Sequence, residues 1–214
     1  MIPLKDINPT KRRPVVTWAL IAVSVGVWIF QVTTGVDVAT DFGVVPFDLT
    51  HDPGFASYAR LVSSMFVHGG WFHLLGNMWF LHVFGDNVED AIGRGPYLGF
   101  YLAAGLSAAA LHVVIDPMSE VPMVGASGAI AGVLGGYLVL HPRARVITLF
   151  FVFFVELPAW VFLFVWFGLQ LVHGFSSLTD NVSHDGGVAF FAHVGGFVTG
   201  LAMTWVMKRS GETT

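Results

Sequence analysis

Six long apolar stretches follow one another along the chain, separated by polar segments that contain Gly or Pro. A helix needs about 20 predominantly apolar residues to cross roughly 30 Å of hydrocarbon. The fourth stretch is short because it ends at His141-Pro142, and Pro158 divides the run that begins at Val146, since proline interrupts a helix. The predicted spans are Val15–Thr34, Trp71–Val88, Pro96–Ile115, Ser127–His141, Leu157–Gly174 and Val188–Met207.

The segments around these spans also receive predictions. We expect Val146–Val155 to approach span five along the interface, and Ser176–Gly187 to form a polar loop that acts as a mobile gate, with Asp185 solvated. The first span exceeds the h-region of a signal peptide and no clear cleavage site follows it, so we interpret it as a retained helix. The chain then divides into a cytoplasmic segment 1–14, a transmembrane domain 15–207 and a cytoplasmic tail 208–214.

Basic residues are distributed unevenly between the two sides of the predicted spans. Cytoplasmic loops of membrane proteins accumulate Lys and Arg. With six crossings and the N-terminus inside, only Arg60 falls on the outer side. The other basic residues fall on the inner side, namely Lys5, Lys11, Arg12, Arg13, Arg94, Arg143, Arg145, Lys208 and Arg209. The sequence therefore predicts an all-α polytopic membrane protein with six transmembrane helices and both termini cytoplasmic.

The composition agrees with this class and excludes several functions. Of 214 residues, 55% are hydrophobic and 11% charged, whereas about 25% are charged in ordinary soluble domains. The lack of cysteine excludes disulfides, thiolate metal sites and a Cys nucleophile. A net charge of −4 without a clustered basic surface argues against a nucleic-acid partner. Nine His are unexpected in so apolar a chain.

Four polar side chains lie near the outer ends of spans two, four and six. His73 and Asn77 are spaced i and i+4 on span two and therefore share a face, Ser127 opens span four, and His193 lies on span six. Polar residues inside a bilayer are costly and are functional-site hypotheses by default. A Ser, a His and two further hydrogen-bonding side chains at one depth supply a nucleophile, a general base and oxyanion donors for acyl transfer.

Small residues could bring the helices of this site together. Gly128, Gly132 and Gly136 recur every fourth residue on span four, and Gly196 and Gly200 follow the same spacing on span six. Such surfaces let membrane helices approach closely. Each signal has a structural alternative, because this glycine spacing is common packing and a single intramembrane His can be a structural hydrogen-bonding group. Their coincidence at one depth favours a site.

Three separated motifs resemble the rhomboid intramembrane serine proteases. They are RLVSSMFVHGGWFHLLGNM from Arg60, GASGAIAGVLGGYL from Gly125 and HVGGFVTG from His193, in the order that the family has them. The resemblance implies a six-helix rhomboid-like bundle in which Ser127 is the nucleophile and His193 the general base, a dyad without a carboxylate. It also implies that His73, Asn77 and the backbone N–H of Ser127 stabilise the oxyanion.

Two positions depart from the pattern of the family. Residue 59 is Ala where a Trp is frequent, and Ala131 stands where some members place an aromatic ring against the base. The second departure leaves open what orients the ring of His193. The short fourth span predicts that Ser127 lies below the outer surface, because about 14 residues cover only roughly 21 Å. Residues 116–126 would then line a water-filled cavity, where irregular backbone is tolerated at membrane depth.

The resulting hypothesis is a serine endopeptidase that cleaves single-span transmembrane substrates in or near their membrane segments. We expect it in the cell (plasma or inner) membrane, with its site opening outward and with no cofactor. Two alternatives are a catalytically silent relative that binds transmembrane clients and a small transporter. Silent relatives typically lack the Ser or the His, and both are present here. A transporter is expected to carry a carboxylate embedded in the outer half of the membrane, and none is evident in the sequence. His68 and His73 resemble metal ligands, but no acidic third ligand is evident, so we expect no metal.

Overall fold

The computed structural model describes residues 1–179 and 187–213, with side-chain positions for residues 1–172 and 190–213. Long helices predominate, and a small sheet and several short helices connect them. In chain order the elements are β1 (Ile2–Asp6), α1 (Val15–Thr34), α2 (Val38–Phe42), α3 (Pro46–His51), α4 (Phe55–Ser63), a 3₁₀ turn (Ser64–Phe66), α5 (Trp71–Ile92), α6 (Arg94–Ile115), α7 (Ser127–Leu140), β2 (Arg145–Phe150), β3 (Phe153–Pro158), α8 (Ala159–Thr179) and α9 (Gly187–Arg209).

Helices α7 and α9 run in the same direction and touch through their backbones. A Cβ atom placed on Gly196 would overlap the carbonyl oxygen of Gly128, and one placed on Gly200 would overlap that of Gly132. The two glycine pairs follow one another in the same order along both helices, so the helices are parallel. Close backbone approach of this kind is what small residues at four-residue spacing permit.

Helix α6 runs the other way and packs on the same segment of α7. A Cβ atom on Gly128 would lie 2.5 Å from the Cβ of Ala108, and one on Gly132 would overlap Ala104. Helix α5 is parallel to α7. His73, near the start of α5, lies beside Gly125, just before α7. Phe84, further along α5, packs against Tyr137, further along α7. We call the end at which α5, α7 and α9 begin the upper end, and the opposite end the lower end.

The helices agree with a multi-pass membrane protein. Three described segments are long and apolar enough to cross a bilayer, namely α1, α6 and Phe190–Arg209 of α9, and α7 and Ala159–Val172 are shorter apolar helices. The predicted bounds of α1 are those observed, and α7 starts at Ser127 as predicted. Helix α5 continues four residues beyond its predicted end. Its last turn carries acidic residues and stays helical up to Gly93.

The all-α prediction is wrong in one part, because the chain also forms a three-stranded antiparallel sheet of order β1-β2-β3. Residues Val146–Val155, predicted as an interfacial approach, belong to the β2–β3 hairpin, and β1 comes from the predicted segment 1–14. The run is rich in Val, Ile and Phe, which favour strands. Short apolar runs carry no periodicity that distinguishes a strand from a helix.

The predicted gate is in part a different structure. Helix α8 continues to Thr179, so the first residues of Ser176–Gly187 are helical and not loop. Residues 180–186, including Asp185, lie outside the described residues. The segment Gly35–Ser64 contains the short helices α2, α3 and α4, which are tied together where Arg60 donates to Asp48 at 2.7 Å and to the carbonyl of Asp41 at 3.1 Å.

Basic residues gather at the lower end of the bundle. Arg94 donates to the carbonyl of Arg13 at 3.3 Å, next to the start of α1, and Lys208 donates to the carbonyl of Val139 at 3.0 Å, at the end of α7. Arg145 begins β2, which pairs with the N-terminal strand. Arg60 lies on α4 near the upper end, since Ser64, which directly follows α4, accepts a hydrogen bond from the backbone N–H of Gly125 at 2.9 Å. The uneven distribution predicted from the sequence is therefore a spatial separation.

Candidate active site

Ser127 and His193 meet at the upper part of the bundle. The Nε2 atom of His193 lies 2.8 Å from the Oγ of Ser127, within hydrogen-bond distance. Ser127 is the first residue of α7, and His193 lies one turn before Gly196 on α9. The contact follows from the packing of the two helices, since the glycine approach of α7 and α9 begins immediately below both side chains.

The pair is recessed below the upper end of the bundle. Ser127 precedes Gly128, which packs against Ala108 of α6, and α6 continues for seven further residues to Ile115. At 1.5 Å per residue this places the pair about 10 Å below the end of α6. A cleft of about 220 Å³ opens onto it between α5 and α8 and is lined, among others, by Phe72, His73, Asn77, Ser127, Gln170 and His193. The site is therefore recessed and connected to an open cleft.

Two hydrogen-bond donors of α5 face the backbone just before the serine. A Cβ atom on Gly125 would lie 2.6 Å from Nε2 of His73 and 3.7 Å from Nδ2 of Asn77. Gly125 has a φ of 122°, a conformation that favours glycine. Nδ1 of His73 lies 3.4 Å from the backbone N–H of Gly69, which leaves Nε2 to carry the proton toward the site.

The second donor is buried and available. Asn77 is 7% exposed, and its Nδ2 has no hydrogen-bond partner within the part of the chain that the structure describes. A buried polar group without a partner costs free energy, and such a group in a native site needs an explanation. The backbone N–H of Ser127 belongs to the first turn of α7, whose N–H groups have no partner within the helix. His73 and Asn77 thus bring side-chain nitrogens close to the backbone that leads into Ser127.

The chain matches the family model described as the rhomboid domain over residues 56–210. The chain belongs to the rhomboid family. The match contains Ser127, His193, His73 and Asn77, and it covers α4 to α9. The resemblance inferred from the three sequence motifs is therefore confirmed, and with it the assignment to integral multi-pass membrane proteins.

Curated rhomboid relatives include proteins from a plant, a yeast and a parasite. The chain is 31% identical over 148 residues to RHOMBOID-like protein 5 of Arabidopsis thaliana, covering 69% of this chain and 43% of the relative. It is 27% identical over 164 residues to the mitochondrial Rhomboid protein 1 of Saccharomyces cerevisiae (73% and 44%), and 31% identical over 158 residues to Rhomboid-like protease 5 of Toxoplasma gondii (71% and 16%). The chain spans less than half the length of these relatives.

The five glycines named from the sequence lie where the long rhomboid helices cross. Gly128 and Gly132 face α6 through their Cβ positions and α9 through their carbonyl oxygens. A Cβ atom placed on Gly136 would lie 2.9 Å from the nearest atom of Thr204 and 3.0 Å from that of Phe100. Gly196 and Gly200 face the α7 backbone. All five therefore lie at helix contacts, and the three on α7 lie between α6 and α9.

His68 supports the position of His73 in this rhomboid. It is 1% exposed, its ring lies edge-on to His73 with centroids 5.2 Å apart, and its Nδ1 lies 3.3 Å from the carbonyl of Phe66 in the loop before α5. Burial and, to a smaller extent, His73 lower the pKa of His68 to about 4. A neutral His68 can pack against His73 without charge repulsion. Among the described residues, no group of three His, Asp or Glu could hold a metal ion.

Sequence reasoning missed the residues that surround the far side of the His193 ring. Oε1 of Gln170 lies 2.8 Å from Nδ1 of His193. The rings of Trp166 and Phe190 have centroids 6.2 Å and 6.0 Å from that of His193. The sequence contains a signal for Gln170. It is the one side chain in the apolar run 159–172 that can form several hydrogen bonds. A polar residue inside a span is itself a functional signal.

Proposed function

We propose that this rhomboid is an intramembrane serine endopeptidase that hydrolyses peptide bonds in or near transmembrane segments through Ser127 and His193. The observation that carries the proposal is the 2.8 Å contact between Ser127 Oγ and His193 Nε2. A serine hydroxyl is a weak nucleophile until an adjacent base can take its proton, and this contact provides one.

The first half of the reaction makes an acyl-enzyme. Ser127 Oγ attacks the carbonyl carbon of the substrate while its proton passes to Nε2 of His193. The negative charge that develops on the carbonyl oxygen is stabilised by His73 Nε2, Asn77 Nδ2 and the Ser127 backbone N–H. The C–N bond then breaks, and the proton on His193 passes to the leaving amine, so that the dyad returns to its neutral form.

The second half of the reaction needs water at the recessed serine. Water loses a proton to Nε2 of His193 and attacks the acyl carbon, and His193 returns that proton to Ser127 Oγ as the ester bond breaks. The cleft supplies a path, because it is open and its lining is polar near the dyad. The position of Ser127 at the start of α7 adds the partial positive charge of a helix N-terminus, which stabilises a developing anion.

The proposed topology has six spans, both termini in the cytoplasm and the site opening outward from the cell membrane. The basic lower end supports this orientation, because Lys and Arg accumulate on the cytoplasmic side. We propose single-span membrane proteins as substrates, because side chains of α5 and α8 line the cleft together with the dyad, so a transmembrane helix that entered between these two helices would reach Ser127. Such a helix must unwind to present a peptide bond, so helix-breaking residues near the cut are expected.

Reconstitution tests the activity directly. Purified protein in liposomes is given a fluorogenic single-span substrate, and the wild type is compared with Ser127→Ala and His193→Ala. Two matched controls are Ser24→Ala, which removes a buried hydroxyl on α1 without a partner among the described residues, and His82→Ala on the exposed face of α5. We expect cleavage by the wild type and both controls, and none by the two dyad variants.

The outcomes separate the hypotheses. Cleavage by Ser127→Ala at the wild-type rate would overturn the protease assignment, whereas substrate binding without cleavage by the wild type would favour the silent relative. Orientation is tested with single cysteines, since the chain has none. In intact cells, a membrane-impermeant maleimide should label Asp52→Cys, whereas Ser210→Cys should react only after permeabilisation. The reverse pattern would contradict the outward opening.

A further inference from the structure

Helix α8 carries a polar side chain into a setting that is otherwise apolar. Around Gln170 the run reads AWVFLFVWFGLQLV from Ala159 to Val172, and the side chain is only partly exposed. Placing an amide at membrane depth costs free energy unless it finds a hydrogen-bond partner. Its partner is His193, whose Nδ1 lies 2.8 Å from Oε1 of Gln170.

The two ring nitrogens of His193 therefore face two different groups. Nε2 lies 2.8 Å from Ser127 Oγ, and Nδ1 lies 2.8 Å from Gln170 Oε1. Neutral imidazole carries one proton, and it can accept the serine proton at Nε2 only when its own proton is on Nδ1. A carbonyl oxygen can only accept a hydrogen bond. The Oε1 contact thus favours the one tautomer in which His193 is a competent base.

The other neighbours of the ring do not provide this function. Trp166 lies tilted and Phe190 edge-on to the His193 ring, and neither offers an acceptor to Nδ1. Ala131, the position one turn below Ser127, has no side chain that could reach it. Within the residues whose side chains the structure describes, Gln170 is the hydrogen-bond partner at Nδ1.

We propose that Gln170 is a positioning residue, a neutral third member of a Ser127–His193–Gln170 triad that fixes the tautomer and the ring orientation of the base. The inference rests on the proposed protease function. It also links the base to a helix contact, since Gln170 is on α8 whereas His193 is on α9. The base is held in its competent form only while the upper parts of these two helices stay together.

The test compares Gln170→Leu, Gln170→Glu and the wild type in proteoliposomes over a range of pH. Leu has a similar size and no acceptor, so kcat should fall about 100-fold with KM within about threefold, in the range that general-base catalysis supplies. Glu restores an acceptor and should recover at least about a tenth of the wild-type kcat. Because its negative charge favours the protonated imidazole, the acid limb of its pH profile should move to higher pH.

The matched control is Gln31→Leu, the same chemical change at the only other glutamine of the chain, on α1. It should retain the wild-type kcat. A readout independent of proteolysis is the ¹⁵N resonance of the His193 ring, assigned by its loss in His193→Ala. The wild type should show a protonated Nδ1, and Gln170→Leu a mixture of tautomers.

Failure of this inference is distinguishable from failure of the protease assignment. If the wild type cleaves and Gln170→Leu keeps its kcat within about threefold, the positioning role is wrong while the protease function stands. If the wild type does not cleave, the tautomer still decides, since an unprotonated Nδ1 in the wild type would overturn the inference. If Gln170→Leu does not fold, an acid limb that is unmoved in active Gln170→Glu would overturn it.

Discussion

Glu89 of α5 caps the first turn of α1 through Thr17. Its carboxylate lies 2.8 Å from both the backbone nitrogen and the Oγ1 of Thr17, and 3.0 Å from the backbone nitrogen of Val16. Helix α1 begins after Pro14, which supplies no side-chain cap, so the free N–H groups of its first turn find their acceptor on another helix. The negative charge also complements the positive end of the helix dipole.

Removing this cap should destabilise the fold. Glu89 is 2% exposed, so Glu89→Ala leaves buried donors without an acceptor, and the free energy of unfolding should fall by about 2–4 kcal/mol. The measurement is unfolding in detergent. Glu156→Ala is the control, because its 3.8 Å pair with Arg145 is exposed and should contribute less than about 0.5 kcal/mol. Equal losses in the two variants would show that the cap is unimportant.

The contact between α7 and α9 makes a second prediction. A methyl group on Gly200 would overlap the carbonyl of Gly132, so Gly200→Ala should force the helices apart and lengthen the contact between Ser127 and His193. We expect at least about a 100-fold loss of kcat/KM and about 1–3 kcal/mol of stability. Gly168→Ala on α8 is the control, because nothing lies within 4 Å of its Cβ position, and it should be neutral. Wild-type activity in Gly200→Ala would refute the packing argument.

The donors beside Gly125 should contribute to the rate and not to substrate binding. Replacing His73 or Asn77 by Ala removes one donor that acts on charge developed in the transition state, so kcat should fall about 10²–10³-fold for each, with KM little changed. Steady-state kinetics in liposomes measure both constants, and His82→Ala is the control on the same helix. A rise in KM with an unchanged kcat would assign these side chains to binding instead.

Asp6 gives the sheet a dependence on pH. It is 7% exposed and accepts hydrogen bonds from Tyr137 and Asn87, both at 2.7 Å. Burial raises its pKa from 3.8 to about 6, and the charge of Asp86 adds to the rise, although the bond from Tyr137 lowers it. Between about pH 4 and 6 the folded state therefore holds this proton more tightly than the unfolded state does, and stability falls as the pH rises through that range.

The comparison of the wild type with Asp6→Asn isolates this effect from other titrating groups. Asn keeps an acceptor for Tyr137 and cannot ionise, so its stability relative to the wild type should rise by about 1–2 kcal/mol between pH 4 and pH 7. Thermal unfolding in detergent at several pH values measures the difference. A difference that is the same at pH 4 and pH 7 would show that Asp6 does not carry the dependence.

Sequence reasoning succeeded where local signals mark an element. Helix α1 has its predicted bounds because Pro14 precedes it and Gly35, with a left-handed φ of 70°, ends it. Helix α7 starts at Ser127, which the motif and the short apolar run both indicated. The structure brings Ser127 within 2.8 Å of His193 and places His73 and Asn77 beside Gly125, two residues before the serine. A shared level was predictable because polar groups stand out against apolar helices and their place in the helix order sets their depth.

It failed where a feature depends on partners that are distant in the chain. Strand β1 pairs with a hairpin more than 140 residues away, and its Pro3 carbonyl accepts from the indole of Trp79. The centre of the β2–β3 run, residues 149–155, is apolar throughout, so no alternation marked it as strand. The role of Glu89 as a cap likewise cannot be read from its neighbours on α5.

Covalent labelling of the nucleophile tests the Ser127–His193 dyad most directly. A fluorophosphonate reacts with an activated serine hydroxyl and not with an ordinary one, and peptide mass spectrometry locates the adduct. We predict a single adduct on Ser127 in the wild type, none in Ser127→Ala and a strongly reduced amount in His193→Ala, because the 2.8 Å contact is what activates the hydroxyl. An adduct on another serine, or undiminished labelling of Ser127 in His193→Ala, would contradict the dyad.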